Sequence, residues 1–428
     1  MPDGGRKKGD AGIYRSRVVD GELAARLKSA GAVLIEGPKA CGKTVTARQV
    51  AASEVLLDID DNARRAVTVD PLLVLEGPVP RLIDEWQVEP LIWNHIRRAV
   101  DNRGSPGQFI LTGSAVPADD ITRHTGAGRI SRLRMRPMSL YETGHSTGAV
   151  SVQRLLEGVP LRSPEPPLTV TELAERVAVG GWPTNLGRTV EQSLQALRDY
   201  LDEIRRADIS RVDGGTRRDP EKVSRLLRSL ARNAATYVSA RTLATDAGGP
   251  DGSMDPHTVL EYLNALDRLM VIEAQPAWAP HLRSKSILRS AARRQLVDPS
   301  LAVAALGATP RRLLSDLNLF GFLYESLVIR DLRVYAQATS ASVFQYRDNT
   351  GLEIDAVVEA ADGRWFAGEI KLGIDQVDES AINLLRFAER VDTIKCGQPS
   401  ALVVIVGTGF GYQRDDGVTV IPIGALGP

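Results

Sequence analysis

Short apolar runs alternate with amphipathic stretches over the first third of the chain. The runs begin at Ala32, Val55, Leu82 and Phe109, and the stretches between them have the spacing of helices. Buried strands that alternate with helices are typical of a parallel sheet covered by helices on its faces. The pattern therefore predicts an α/β domain, to which we assign residues 14–150.

The pattern changes after this domain. Residues 150–167 hold Gly158 and four prolines, which indicates a connection between domains and not a core segment. Over residues 168–213 apolar positions recur at intervals of three and four, and we predict a helical lid. Helical patterns resume over residues 221–305 and lead into an apolar run at Met270–Glu273. Helices followed by a strand predict a winged-helix-like segment.

Residues 311–428 predict a second α/β domain. A helix is expected over residues 322–335, and five strands follow it. These strands are predicted at 343–346, 352–358, 365–371, 401–406 and 418–421. Residues 1–13 are polar and rich in Gly and Lys, which predicts a disordered leader.

Composition adds little to this multidomain α/β prediction. The 428 residues are too many for one compact core, and the 53 basic and 53 acidic residues cancel. No apolar run approaches the roughly 20 residues that cross a bilayer, so we expect no membrane contact and a cytoplasmic location. We expect both cysteines, Cys41 and Cys396, to be reduced thiols.

One segment matches the phosphate-binding motif G-x-x-x-x-G-K-[ST] in full. It follows a predicted strand and precedes a predicted helix, which is the context the motif requires. We expect Lys43 to reach the β and γ phosphates of ATP and the Thr44 hydroxyl to ligate Mg²⁺. The predicted nucleotide-binding residues are Gly37, Pro38, Lys39, Ala40, Cys41, Gly42, Lys43 and Thr44.

Two later strands supply candidates for ATP hydrolysis. The strand before Asp84 and Glu85 ends in two acids, as a Walker B segment does. Asp84 would hold the magnesium shell, and Glu85 would polarise the attacking water. Thr112, or failing it Ser114, could sense the γ phosphate from the end of the next apolar strand.

Arg129 follows a glycine-rich turn and precedes a predicted strand. An arginine there could stabilise the charge that develops on the transferred phosphoryl group, acting from a neighbouring subunit of a homo-oligomer. The alternative is a surface arginine in a run that also contains Arg132, Arg134 and Arg136.

The ordered series of motifs resembles the prokaryotic family of AAA-type ATP-binding proteins that carry a C-terminal domain of unknown function. That resemblance implies ATP binding, an AAA-type fold, a winged-helix-like middle segment and a C-terminal domain similar to the PD-(D/E)XK nucleases. The segments that carry it are 37–44, 82–87, 109–115, 128–130, 136–140, 180–183, 200–209 and 321–332.

The C-terminal domain contains a candidate second metal site. Asp355 lies on one predicted strand, and the period of two places Glu369 and Lys371 on one face of the next. Glu325, on the preceding helix, could complete the set. Carboxylates that hold Mg²⁺ beside a catalytic lysine could cleave phosphodiesters. The alternative is a domain of the same fold that binds without cleaving.

Two basic stretches, Arg205–Arg218 and Arg283–Arg294, could contact the phosphates of DNA or RNA. Solvated helix faces are the commoner explanation of such stretches. The leading hypothesis is a P-loop ATPase whose nucleotide state repositions the winged-helix-like segment and the nuclease-like domain. Its rivals are a nucleotide-gated regulatory module without nuclease activity and an ATP-gated magnesium-dependent nuclease.

Overall fold

Five parallel strands form the sheet of the first domain in the computed structural model, which describes residues 14–115, 125–212, 218–249, 252–280 and 293–428. The predicted leader therefore lies outside the described residues. The strands are β1 (Ala32–Glu36), β2 (Ser53–Leu56), β3 (Arg81–Asp84), β4 (Phe109–Gly113) and β5 (Ile130–Arg134). Their order is β2-β3-β4-β1-β5, so the carboxyl ends of β1, β4 and β3 are neighbours at one edge.

Helices cover both faces of this sheet, because successive side chains of a strand point to opposite sides. In β1, Val33 and Ile35 pack toward one face, and Ala32 and Leu34 pack toward the other. The domain's helices are α1 (Val19–Ser29), α2 (Lys43–Arg48), α3 (Asp61–Val69), α4 (Leu72–Leu75), α5 (Ile92–Arg103) and α6 (Leu140–Thr143). The predicted parallel sheet with helices on its faces is confirmed.

The middle of the chain is mainly helical. Capping boxes start α8 and α9, where Thr169 pairs with Glu172 and Thr189 pairs with Gln192. A π-helical turn (Ile204–Asp208) follows α9 directly. The elements are β6 (Val150–Ser151), α7 (Val152–Leu156), α8 (Val170–Val179), α9 (Val190–Glu203), α10 (Ile209–Val212), α11 (Pro220–Arg232), α12 (Ala240–Asp246), α13 (Pro256–Arg268), the antiparallel pair β7 (Ile272–Gln275) and β8 (Arg293–Leu296), and α14 (Pro299–Leu306).

The C-terminal domain contains a six-stranded mixed sheet of order β13-β14-β12-β11-β10-β9. All five strands predicted for this region lie in it. The elements are α15 (Pro310–Ser315), α16 (Leu317–Gln337), β9 (Ser342–Arg347), β10 (Glu353–Glu359), β11 (Trp365–Lys371), α17 (Val377–Arg390), α18 (Thr393–Cys396), β12 (Ala401–Val406), β13 (Tyr412–Gln413), β14 (Thr419–Pro422) and β15 (Leu426–Gly427). Among the described helices, none combines the length and the apolarity that a bilayer crossing needs.

The segment 150–167, predicted to be a connection, is part of the core instead. Leu155, Leu156 and Leu161 are buried in the cluster that also contains Phe320 of α16 and the inner face of the mixed sheet. Its first residues, β6, pair in parallel with β15 at the far end of the sequence. The prediction was wrong because the prolines interrupt regular structure without removing the apolar side chains between them.

A buried ion cluster joins the three parts of the chain. The Arg330 guanidinium of α16 contacts Asp298 at 2.7 Å and Asp331 at 2.6 Å, and all three side chains are at most 3% exposed. Each carboxylate also accepts a backbone N–H, from Gly181 for Asp298 and from Leu140 for Asp331, at 3.0 Å. One arginine therefore holds the first domain, the helical segment and the C-terminal domain together.

Removing this arginine leaves two buried carboxylates without their cation. We expect Arg330→Met to lower the free energy of unfolding by about 3–5 kcal/mol, because an uncompensated buried charge is costly. Arg311→Met, at an exposed position of α15, should change it by no more than about 0.5 kcal/mol. Urea denaturation followed by circular dichroism measures both. Equal midpoints for the two variants would contradict the clamping role of Arg330.

Candidate functional site

The phosphate-binding motif forms the turn between β1 and α2. Gly42 has φ of 105°, a left-handed conformation that glycine adopts without strain. A Cβ added at Gly37 would lie 2.1 Å from the carbonyl oxygen of Met135, so the loop packs tightly against the strand end behind it. The sequence therefore forms the curled loop that the motif predicts.

Lys43 lies inside the curl of this loop. The side chain is buried, and its Nζ donates to the carbonyl oxygens of Gly37 and Pro38 at 3.0 and 2.9 Å. The ammonium group is thus fixed at the centre of the loop, where backbone N–H groups of a P-loop converge on phosphates.

Two hydroxyl groups converge on Asp84 at the carboxyl end of β3. Thr44 Oγ1, at the start of α2, donates to Asp84 Oδ1 at 2.8 Å. Thr112 Oγ1, on the neighbouring strand β4, donates to the same oxygen and accepts the Glu85 N–H at 3.2 Å. Thr112 is fully buried and bonded to both Asp84 and the Glu85 backbone, and its contact with the γ phosphate stays a prediction.

Glu85 follows Asp84 and lines the cavity in front of the loop. Its backbone is left-handed, with φ of 51°, which turns the side chain out of the line of the strand. Ser114 Oγ donates to its Oε2 at 3.0 Å, and Gln87 Nε2 donates to the same atom. Ser114 and Gln87 therefore hold the carboxylate, and the sequence assigned no role to Gln87.

The cavity has a volume of about 830 Å³, which lies in the range of small-molecule sites. The P-loop forms one wall, and the helical segment contributes Pro183, Thr184 and Asp208 to another. Lys39 of the loop contacts Asp208 at 2.6 Å, so the predicted lid touches the P-loop directly. Nothing in the sequence near Asp208 marks it for this site, because its partner lies far away along the chain.

Arg129 lies away from this cavity. It directly precedes β5, whose first residue pairs with Ala32 at the amino end of β1, whereas the P-loop follows the carboxyl end. Its Nε contacts Asp101 of the same chain at 2.8 Å. Arg129 is thus remote from the site of its own chain, a position that fits the alternative of a surface arginine, and its action on a neighbouring subunit stays a prediction.

The predicted residues of the C-terminal domain lie together. Lys371 Nζ on β11 contacts Glu369 at 2.7 Å and Asp355 of β10 at 3.3 Å. Asn383 of α17 donates to Glu369 at 2.6 Å, a partner that the sequence did not suggest. Burial and the Asp355 charge raise the pKa of Glu369 to about 8, although Lys371 opposes this shift. The group is a buried ionic network on adjacent strands.

Arg293 of β8 inserts into the same network. Its guanidinium contacts Glu325 of α16 and lies 3.9 Å from Asp355. Burial and the Asp355 charge raise the pKa of Glu325 well above its usual range, while Arg293 and Lys371 lower it. For the stretch that contains Arg293, the sequence allowed either contact with nucleic acid or a solvated helix face, but this side chain fits neither, because it is buried against carboxylates. Residues 283–292 of that stretch lie outside the described residues.

These cations change the expected metal site. Glu325, Asp355 and Glu369 were predicted to share a magnesium ion, but Arg293 and Lys371 lie among them. Within the described ranges, no group of three or more Asp, Glu, His or Cys side chains is close enough to hold a metal ion. The three carboxylates supply suitable oxygen atoms, but in this arrangement they neutralise protein cations.

Three protein families match successive parts of the chain. Residues 29–144 match the model of an AAA domain, AAA_14. Residues 170–312 and 320–426 match two domains of unknown function, DUF8612 and DUF4143. The chain therefore combines an N-terminal AAA domain, of the P-loop ATPase type, with two domains of unknown function. The similarity of the last domain to nucleases stays a prediction.

Solved structures add only distant similarities. A Walker-type ATPase of Pyrococcus abyssi is 15% identical, with 67% of this chain and 94% of that chain covered and a TM-score of 0.40. Drosophila ORC bound to DNA is 12% identical, with 69% and 89% covered and a TM-score of 0.19. Neither score is high enough to support an argument. No curated protein matches the chain.

The close packing of Gly37 gives a test of the loop. We expect Gly37→Ala to lower the free energy of unfolding by about 1–3 kcal/mol, because its Cβ would overlap a backbone carbonyl. Gly21→Ala, in the open on α1, should raise it by up to about 1 kcal/mol, since alanine favours helix. Urea midpoints measure both changes. If the two variants shift the midpoint in the same direction, the packing described for Gly37 is incorrect.

Proposed function

We propose that the chain binds ATP with Mg²⁺ at residues 37–44 and hydrolyses it to ADP and phosphate. The observation that carries the proposal is the convergence of Thr44 and Thr112 on Asp84, with Glu85 beside the cavity. A P-loop lysine, a magnesium-shell aspartate and an adjacent acid are the parts that phosphoryl transfer to water requires.

Each residue has a distinct role in this proposal. Lys43 would contact the β and γ phosphates from the centre of the loop. Thr44 Oγ1 and an Asp84 oxygen, which lie 2.8 Å apart, are hard donors that suit Mg²⁺ and would hold it. The ion would supply charge neutralisation at the phosphates. Glu85, held by Ser114, would accept a proton from the attacking water.

The contact between Lys39 and Asp208 supports a coupling between nucleotide and lid. Asp208 belongs to the π-helical turn at the end of α9, and such turns are frequent at functional sites. Phosphates in the cavity would compete with Asp208 for Lys39, so the nucleotide state would alter how the helical segment meets the loop. The segment continues into α11–α13 and the β7-β8 pair, an order of elements that we interpret as winged-helix-like.

Substitutions in the loop and in the Walker B segment test the ATPase proposal. We expect Lys43→Ala to abolish ATP binding. We expect Glu85→Gln to keep ATP binding but lower kcat by at least about 100-fold, because it removes the general base. Isothermal titration calorimetry with a slowly hydrolysed ATP analogue and a phosphate-release assay measure the two properties.

Glu76→Gln is the matched control, since Glu76 is an exposed acid of the same domain. It should hydrolyse ATP at the wild-type rate. A wild-type rate of ATP hydrolysis in Glu85→Gln would refute the assignment of Glu85 as the general base. The action of Arg129 on a neighbouring subunit is tested in the same assay, and a wild-type rate for Arg129→Ala at every protein concentration would exclude it.

For the C-terminal domain we favour a regulatory role without cleavage. The observation behind this choice is that Arg293 and Lys371 neutralise the carboxylates that a nuclease would use for metal. The ATP-gated nuclease is the second candidate, because Asp355, Glu369 and Lys371 lie together on neighbouring strands as such an enzyme requires. DNA or RNA as a partner is a prediction shared by both.

Incubation of DNA and RNA with the protein separates these candidates. With Mg²⁺ or Mn²⁺, and with or without ATP, we expect both nucleic acids to stay intact on denaturing gels. Asp355→Asn and the exposed control Asp375→Asn are assayed in parallel. Cleavage by the wild type and by Asp375→Asn that is lost in Asp355→Asn would establish the nuclease and overturn our preference.

A further inference from the structure

A second cavity lies between the first domain and the helical segment. Its volume is about 250 Å³, smaller than the 830 Å³ of the cavity in front of the P-loop, which we call the nucleotide cavity. The basic side chains that line it are Arg15, His145, Arg176, Arg188 and Arg330. Among the described residues that line it, none is an Asp or a Glu. The ionisable side chains that line this cavity, which we call the basic cavity, are therefore all basic.

The arginines on its walls have weak partners. Arg15 donates to the carbonyl oxygen of Thr143 at 2.8 Å, and Arg188 donates to the side-chain oxygen of Asn185 at 3.4 Å. Arg176 meets the carboxylate of its neighbour Glu175 at 3.4 Å and also lies near Glu172. Among the described residues, Arg15 and Arg188 have no carboxylate partner. An anion in the cavity would supply the missing negative charge.

His145 lies among the arginines of this cavity. Its Nε2 lies 3.2 Å from Arg176 Nη1. Burial, followed by the charges of Arg176 and Arg15, lowers the pKa of His145, although the Glu172 carboxylate opposes this shift. The lowered pKa favours the neutral imidazole, whose Nε2 can accept the Arg176 hydrogen bond. The protein avoids a further cation here by keeping this histidine uncharged.

The floor of the cavity differs from its walls because its arginine, Arg330, is paired with carboxylates. Arg330 lies there, paired with both Asp298 and Asp331, so the floor carries one more negative than positive charge. Asp298 also fixes the backbone of Gly181, another lining residue, through the 3.0 Å hydrogen bond from its N–H. An anion would therefore be held by the arginines of the walls, which the fold already places around the cavity and which would not have to be gathered on binding.

A single segment separates this cavity from the nucleotide cavity. Gly181 and Trp182 line the basic cavity, whereas Pro183 and Thr184 line the nucleotide cavity. Pro183 also lies against Gly42 of the P-loop. Whatever occupies the basic cavity therefore rests on the wall that the nucleotide contacts from the other side.

We propose that the basic cavity binds a small phosphate-bearing anion, separately from the P-loop. Arginine forks suit phosphate oxygens because they donate two parallel hydrogen bonds. The volume of about 250 Å³ accommodates inorganic phosphate, pyrophosphate or a terminal phosphate monoester.

Calorimetric titration of pyrophosphate into the Lys43→Ala protein tests the proposal. That background removes the P-loop lysine, so the expected result is binding of one pyrophosphate at the remaining site. Adding Arg15→Gln or Arg188→Gln should weaken this binding at least about tenfold, because each removes a charged hydrogen-bond donor. Both arginines are exposed, so the fold should tolerate their loss. Arg154→Gln, an exposed arginine outside the cavity, is the control and should bind normally.

Three results would overturn the proposal: no binding in the Lys43→Ala protein, unchanged binding in both cavity variants, or equal weakening by Arg154→Gln. Competition by a 5′-phosphorylated trinucleotide identifies the source of the phosphate as a nucleic-acid end, and its failure to compete identifies a free small anion. The measurement needs no ATP hydrolysis, so its failure leaves the ATPase proposal standing, and the converse also holds.

Discussion

The buried contact of Arg330 with Asp298 and Asp331 is the constraint on which the arrangement of the three domains depends. A charged triad of this kind is expensive to bury, and it is tolerated because every member is paired and both carboxylates also accept backbone N–H groups. Those N–H groups belong to Leu140 and Gly181. The triad therefore fixes where the first domain ends and where the segment beside the P-loop begins.

The triad also explains why the basic cavity and the nucleotide cavity lie on opposite sides of one segment. Gly181 is held on Asp298, and the next residues, Trp182 and Pro183, face the basic cavity and the nucleotide cavity respectively. Asp208 reaches Lys39 from the end of α9, on the same helical segment. The P-loop thus contacts the helical segment at two separate places, one anchored beside Gly181 and one held by a single surface-accessible ion pair.

Local features of the chain were predictable, and long-range partners were not. The P-loop, the acids Asp84 and Glu85 at a strand end, and the strands of both sheets other than β13 follow from short apolar runs and from spacing, which are properties of neighbouring residues. Arg293, Asn383 and Asp208 act through partners that only the folded chain brings near. The environment of Arg293 could not be predicted for the same reason. The basic residues along the sequence do not show that Arg293 is buried beside a carboxylate of a distant helix.

The parallel pairing of β6 with β15 ties residue 150 to residue 426, and the core around α7 and α8 is filled largely by α16 and the mixed sheet. Contacts between such distant residues form late, because closing a long loop costs entropy before any contact compensates it. The apolar sides of α7 and α8 are therefore covered only after the chain has been made as far as residue 426. Until then this part of the core has no cover, however early its own helices form.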